Sequence, residues 1–456
     1  MRGSRQPSRL NRLSRLFATL SLATALGSCG APIGRPTEGP CAAADPRVQA
    51  EKARASLVFR GFRARPMYDV DFDGRPVPFL PRAAPADSQA VVSYPDPQRH
   101  PGGEGLEHLS GRSFVYDDAL AALMLTAEGD RAGARRILQT LAALQRPDGA
   151  WGFSFEIQGD GFYNFQYVRS GAVAWCVYAF ARYVERFGDP HMLLPAIRGG
   201  EWLLRQRDPQ TGLVRGGFGR WLDAQRFDPQ FVADWASTEH QVDTWFALHA
   251  LAAADPSGRW AILAGVDTVG SAVEANLFMH RQERYAQGRQ LGGTSVTGHD
   301  PESALDAAGV WTALYAVAQR RPHDADSLLE WVDRHHRFDL DGWTAWRPYI
   351  ESPPETWFVE GSLAIGLVHH RLGRNDEARA FLGQFAQLSC LEEGPLVYSP
   401  RWHADFPLTP AAAPTLWFVM VTREIYGGER FLWGEIAGGV QRGPISPSTD
   451  SPQPPA

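Results

Sequence analysis

From Tyr116 onward, two kinds of apolar pattern alternate along the chain. Stretches that are apolar on nearly every side begin near Tyr116, Ser170, Thr238, Ser303, Thr356 and Ala411. Between them, 130–145, 190–206, 257–278, 324–336 and 375–388 keep apolar residues at helical spacing but carry one polar stripe. Asp118 to Ala127 has no charge after its opening turn, whereas Asp130 to Gln139 repeats arginine along one face. The first kind reads as a helix buried all round and the second as a helix buried on one side. A further helical pattern over 46–62 makes six pairs, a repeat architecture in loose form. Pairs with one buried and one exposed member close into a ring. The fold class expected is therefore all-α, six helical hairpins with the inner helices parallel. An open solenoid would not need such apolar alternate helices.

Other stretches break the pattern. Residues 63–112 carry Pro and Gly at short intervals and read as a long ordered loop. Asp69, Asp71 and Asp73 within it lack the spacing and terminal Glu of a calcium loop, so a solvated turn is expected. Gln145 to Trp151 and Gln206 to Gly212 end outer helices in glycine-containing turns and read as structural staples. Similar turns occur in terpene cyclases. Residues 29–45 look like a tether, 46–435 like the ring, and 436–456 like a disordered tail rich in Pro and Ser.

The N-terminus is a targeting segment and not part of the fold. Arg2, Arg5, Arg9, Arg12 and Arg15 precede a short apolar run, Leu16 to Leu26, too short for a membrane span. Leu26-Gly27-Ser28-Cys29 resembles a bacterial lipobox, which implies a signal peptide over 1–28 and lipid on Cys29. The expected location is the bacterial cell envelope, with a membrane partner through that lipid. Net charge is −6, with no basic run beyond the leader, so nucleic acid is excluded as a partner. Cys176 lies in an apolar run and reads as a small core residue. With no CxxC or HxxxH spacing, neither a metal nor a cofactor is expected. A monomer is expected.

The chemistry stands at the front of the inner helices. The first opens with Tyr116, Asp117 and Asp118. The second follows Tyr163 and opens with Arg169. The third carries Trp235, Glu239, His240 and Asp243, with Thr238 and Gln241 spaced as a capping box. The fourth has His299, Asp300, Glu302 and Asp306; the fifth has Glu355, Trp357 and Glu360; the sixth follows Tyr398, Arg401, Trp402, His403 and Asp405. In a closed ring these would converge on one mouth. Carboxylates facing one cavity repel each other, so stability alone does not call for them. Acids among aromatic rings suit sugar chemistry. One carboxylic acid protonates the leaving oxygen and a second carboxylate activates water or attacks the sugar.

Tyr116-Asp117-Asp118-Ala119-Leu120-Ala121, Ser237 to Asp243, Leu305-Asp306 and Trp357 to Gly361 resemble the six-hairpin glycosidase superfamily, the (α/α)6 toroid enzymes. They are similar in particular to an exported bacterial subgroup with S-T-E-H-N-x-D and W-F-E-G elements. Gln241 stands for the Asn, and Val359 lengthens the last element by one residue. The resemblance covers 110–430 and implies a glycoside hydrolase acting on an envelope or extracellular glycan. Glu239, Asp117 and Glu360 are the catalytic candidates. Tyr116, Asp118, Tyr163, Arg169, Trp235, His240, Asp243, Asp306, Trp357 and Trp402 are the substrate-binding candidates. Glu239, in a first helical turn, should have a lowered pKa unless burial raises it, which suits a base. Glu360, beside Trp357 and Phe358, should have a raised one, which suits an acid. Two other readings stand beside this one. One is a polysaccharide lyase or sugar epimerase using His240, Tyr163 and Arg169. The other is a glycan-binding lipoprotein without turnover.

Overall fold

A computed structural model describes residues 34–95, 109–222, 226–292, 304–352, 356–400, 408–430 and 432–433. Among these residues, twelve α-helices alternate as the apolar pattern requires. The helices with one polar stripe are α1 (Pro46–Ser56), α3 (Arg131–Leu144), α5 (Leu193–Arg205), α7 (Arg259–Leu277), α9 (Pro322–His335) and α11 (Asn375–Leu391). The apolar helices are α2 (Val115–Ala127), α4 (Ser170–Phe187), α6 (Thr238–Ala254), α8 (Trp311–Ala318), α10 (Val359–Arg371) and α12 (Ala412–Gly427). In α4, fourteen of eighteen residues are buried, whereas α3 buries one face through Ala134, Ile137, Leu138 and Leu141.

The apolar set packs in a cycle. α2 lies on α4, α4 on α6, α6 on α8, α8 on α10, α10 on α12, and α12 returns to α2. The striped helices flank this cycle, α3 on α2 and α4, α5 on α4 and α6, and α1 on α11 and α12. The result is a helical toroid whose core lies between the two layers. Closure explains why alternate helices are apolar all round, since each faces the axis, two neighbours and an outer helix. The expected staple is present: Gln145 Nε2 donates to the carbonyls of Gly149 and Pro195, both at 2.9 Å, and Trp151 Nε1 donates to Leu141 O at 2.7 Å.

Three regions differ from the sequence reading. The span 63–112 is not wholly loop. The helix expected over 46–62 stops at Ser56, and Phe59–Gly61 is instead a strand paired with Gln89–Val91; Met67–Val70 pairs with Pro76–Phe79. These strands have three or four residues and include prolines, too short to leave a period-two signal. Asp71 does cap a turn, accepting from the backbone of Asp73 and Arg75. Asp69 is instead fully buried and accepts from Val70 N and Gln166 N, each at 2.8 Å. Residues 34–45, read as tether, are held on the body. Cys41 forms a disulfide with Cys390 of α11, and Arg35 bonds Asp341 O and Gln387 Oε1. Cys176 is a buried free thiol, as its apolar run implied. The leader, Cys29 and the tail beyond Trp433 lie outside the described residues.

Candidate active site

The first turns of the apolar helices meet at one end of the toroid. Tyr116 and Asp117 come from α2, Glu239 and Asp243 from α6, Asp306 from the π-helical turn that precedes α8, and Glu360 from α10. A π turn inside a helix widens the backbone and re-aims its side chains. Asp306 takes a hydrogen bond from the next amide, Ala307 N, at 2.6 Å.

Glu360 has the most defined partner. Tyr116 Oη donates to Glu360 Oε1 at 2.5 Å, and Trp417 Nε1 of α12 donates to Tyr116 Oη at 2.9 Å. Glu360 is buried. Desolvation pushes its pKa up to about 8, the Tyr116 hydrogen bond opposes this, and the charges of Asp117 and Asp306 add to it. Asp117 is raised to about 7 by burial, with Ser93 lowering it.

Across the axis, Glu239, Asp243 and Asp306 act on one another. Burial, then the charges of Asp306, Asp243 and Glu360, hold Glu239 well above the usual carboxylate range. Burial thus outweighs the lowering by the helix end, a surface effect of ~0.3–1 kcal/mol. Asp243 is also held well up by burial and Asp306. Its carboxylate oxygens are both buried without a hydrogen bond, although the indoles of Trp311 and Trp175 face it. An ionised group so placed would be expensive, so burial favours the protonated form of Asp243. Asp306, at about 6, is the member of the three that ionises first. The end thus holds proton donors and a carboxylate together at neutral pH, the condition for acid–base chemistry by acids alone.

His240 sits beside this group. Its Nδ1 lies 3.0 Å from Ser170 Oγ, and Trp235 packs at 5.7 Å between ring centroids. Burial and the nearby Arg169 lower its pKa to about 3, so it is neutral. The helices approach closely here. A Cβ at Gly171 would lie 2.6 Å from His240 Cδ2 and 2.9 Å from Asp243 Oδ2.

Other expected binding residues are built into the walls. Asp118 is fully buried, with Oδ1 accepting from Val91 N at 2.8 Å and Oδ2 from Ser113 Oγ at 2.9 Å. It anchors a strand, because successive helical residues point ~100° apart and only Asp117 faces the axis. Tyr163 donates to Leu144 O and accepts from Gly152 N, each at 2.8 Å, and packs on Phe79. Trp357 is buried against Trp343 and Phe385, with Nε1 donating to Ser362 Oγ at 3.1 Å. Arg169 spends Nη1 and Nη2 on the carbonyls of Val168, Phe218 and Gly219 while its guanidinium stacks on Tyr167. Trp402, His299, Asp300, Glu302, Glu355, Arg401, His403 and Asp405 lie outside the described residues.

Sequence reasoning passed over the aromatic floor. Trp175, Trp311 and Trp417 stand beneath the acids, with Trp417 at 6.2 Å from Trp175 and 5.2 Å from Trp311. Their shared position, about a turn past each carboxylate level, was the available signal. Tyr94 and Tyr398 flank the Glu360 side, 6.2 Å apart, and the charges of Glu360 and Asp117 bear on both. An open pocket of about 230 Å³ at the opposite end, lined by Thr126, Arg182, Arg186 and Arg430 among others, contains none of the five carboxylates.

No protein-family model matches the chain, and no curated protein matches it in sequence. Solved structures do resemble it. A D-mannose isomerase aligns at TM-score 0.53 and 10% identity, covering 84% of this chain and 97% of that one. A glycosidase variant in complex with glucose aligns at TM-score 0.50 and 13% identity, covering 74% and 91%. A rhamnosidase from Klebsiella oxytoca with rhamnose bound aligns at 0.48 and 14% identity; this chain covers 58% of its length, from 70% of its own. At these identities the likeness is one of fold, and the fold is a glycosidase-like helical toroid.

Proposed function

We propose that the chain is a glycoside hydrolase built as an (α/α)6 toroid of six hairpins and lipid-anchored at Cys29 in a bacterial envelope, where it cleaves a poly- or oligosaccharide. The observation that carries the reading is the group of five acids, Asp117, Glu239, Asp243, Asp306 and Glu360, gathered over a tryptophan floor. Glu360, held protonated at neutral pH and steadied by Tyr116, donates a proton to the leaving oxygen. The negative charge centred on Asp306 and shared with Glu239 activates water or attacks the sugar; Asp117 is the second candidate for that role. Tryptophan and tyrosine faces suit sugar rings. The fold likeness to a glycosidase with bound glucose and to a mannose isomerase supports a carbohydrate substrate. The Cys41–Cys390 disulfide suits an oxidising compartment, and Leu26 to Cys29 supports the anchor.

A lyase or epimerase would call on His240, Tyr163 and Arg169. His240 is neutral with a very low pKa, and the other two spend their polar atoms inside the wall. The test is a screen of many glycans with the soluble form lacking residues 1–29, following new reducing ends. Reducing ends without unsaturated uronate absorbance fit a hydrolase. Unsaturated products would make it a lyase, a changed sugar without cleavage an epimerase or isomerase, and binding without turnover a glycan receptor.

A further inference from the structure

The chain returns into its own toroid after the last helix. α12 ends at Gly427, and Gly428 takes a left-handed φ of 75°. Leu432 and Trp433 then lie buried, each 1% exposed. They enter from the end opposite the acids. Arg371, the last residue of α10, donates to the carbonyls of Leu432 and Trp433, the latter at 2.9 Å. The same guanidinium grips Glu424 of α12 with two hydrogen bonds at 2.8 and 3.0 Å, in a pair almost wholly out of water. Tyr178 Oη of α4 accepts from Trp433 N at 2.9 Å.

The Trp433 indole touches four of the apolar helices. It stacks on Phe246 of α6 at 5.1 Å and 13°. It also lies 5.0 Å from Trp175 of α4, 5.3 Å from Trp311 of α8 and 6.0 Å from Trp417 of α12. Those three tryptophans are the ones that face the acids. Trp417 donates to Tyr116, which donates to Glu360, while Trp175 and Trp311 face Asp243.

We propose that Trp433 is a positioning residue of the candidate active site: a wedge inserted from the back of the toroid that fixes the tryptophan floor, and through it Glu360 and Asp243, and that keeps water from reaching them from below. The role in turnover rests on the hydrolase reading; the role in placing the carboxyls does not. Interiors pack at crystal density, so loss of an indole here leaves a space that water fills or the floor collapses into. Either change alters the surroundings of Glu360. Its charged and titratable neighbours are Tyr116 and Asp117 from α2, Glu239 and Asp243 from α6, Asp306 before α8, and Tyr94 and Tyr398 from the loops.

The experiment is a carbon-13 carboxyl titration of Glu360, its resonance assigned by loss in Glu360→Gln, in the parent and in Trp433→Ala, Trp433→Leu and Trp433→Phe. The parent should titrate near 8. Trp433→Ala should lower that midpoint by about one unit or more, at least tenfold in proton affinity, and Trp433→Phe should restore most of it. Where Trp433→Ala does not fold, Trp433→Leu is read in its place. On a glycan that the parent cleaves, kcat should fall about 100-fold with KM little changed, as for a displaced catalytic group. An unmoved Glu360 midpoint in a folded Ala or Leu variant, with only melting temperature lowered, would overturn the proposal. If the parent cleaves no glycan, the hydrolase reading falls, and the carboxyl titration still decides the place of Trp433.

Discussion

Asp117 and Asp118 show how position in a helix turns one residue type to two uses. Both are first-turn acids, yet Asp118, adjacent to Asp117, has its oxygens taken by Val91 N and Ser113 Oγ and belongs to the wall. The amino-acid pattern shows which residues open a helix but not which way each faces, so Asp118, Tyr163 and Trp357 were indistinguishable from cluster members. The same burial sets a testable pH dependence. Glu360 titrates at its ordinary 4.5 in the unfolded chain and near 8 in the folded one, so the native state holds the proton longer. Its contribution to stability is full below 4.5 and is lost as pH rises through 8; Asp117 behaves alike up to about 7. His240 and His336, depressed to about 3 and about 4 from 6.5, act in the opposite sense only below 6.5. Between pH 6.5 and 8 the melting temperature should therefore fall, and Glu360→Gln should flatten that fall. An equal slope in parent and variant would remove Glu360 as its source.

The helices themselves were readable because each apolar helix is enclosed on all sides and each striped one on one side. Observed starts at Val115, Ser170 and Thr238 lie at or beside the expected ones. The start of α6 differs in detail from the expected capping box. Thr238 Oγ1 donates to Ala286 O at 2.5 Å, and Gln241 pairs with the backbone of Val214, so the capping box gives way to tertiary partners. Between α4 and α6, Gly171 allows His240 and Asp243 to approach the α4 backbone. Gly171→Ala should separate the two helices and cost about 1–3 kcal/mol of stability, as overpacking does. Denaturant unfolding together with turnover should show both reduced. A variant with parent stability and rate would mean that this approach does not shape the site.

At the scale of the molecule, closure of the ring was legible from alternation alone, and what closes its ends was not. The Cys41–Cys390 pair spans 349 residues, and Trp433 enters after the final helix; neither contact has a local pattern to announce it. Cys41→Ser should lower stability by ~2–5 kcal/mol, as losing a native disulfide does, without changing turnover, since the bridge lies on an outer helix. Cys29→Ser should release the protein from the membrane fraction; continued attachment with normal processing would reject the lipid anchor. The central claim is that acids on separate inner helices act together on a glycosidic bond. Its most direct measurement is the rate of reducing-end release by the soluble parent, Glu360→Gln and Glu239→Gln, on the glycan the parent cleaves best. Both variants should keep the fold and lose at least ~100-fold in rate, the lower bound for a general acid or base. Parent-like release by either folded variant, or no release from any glycan by the parent, would contradict it.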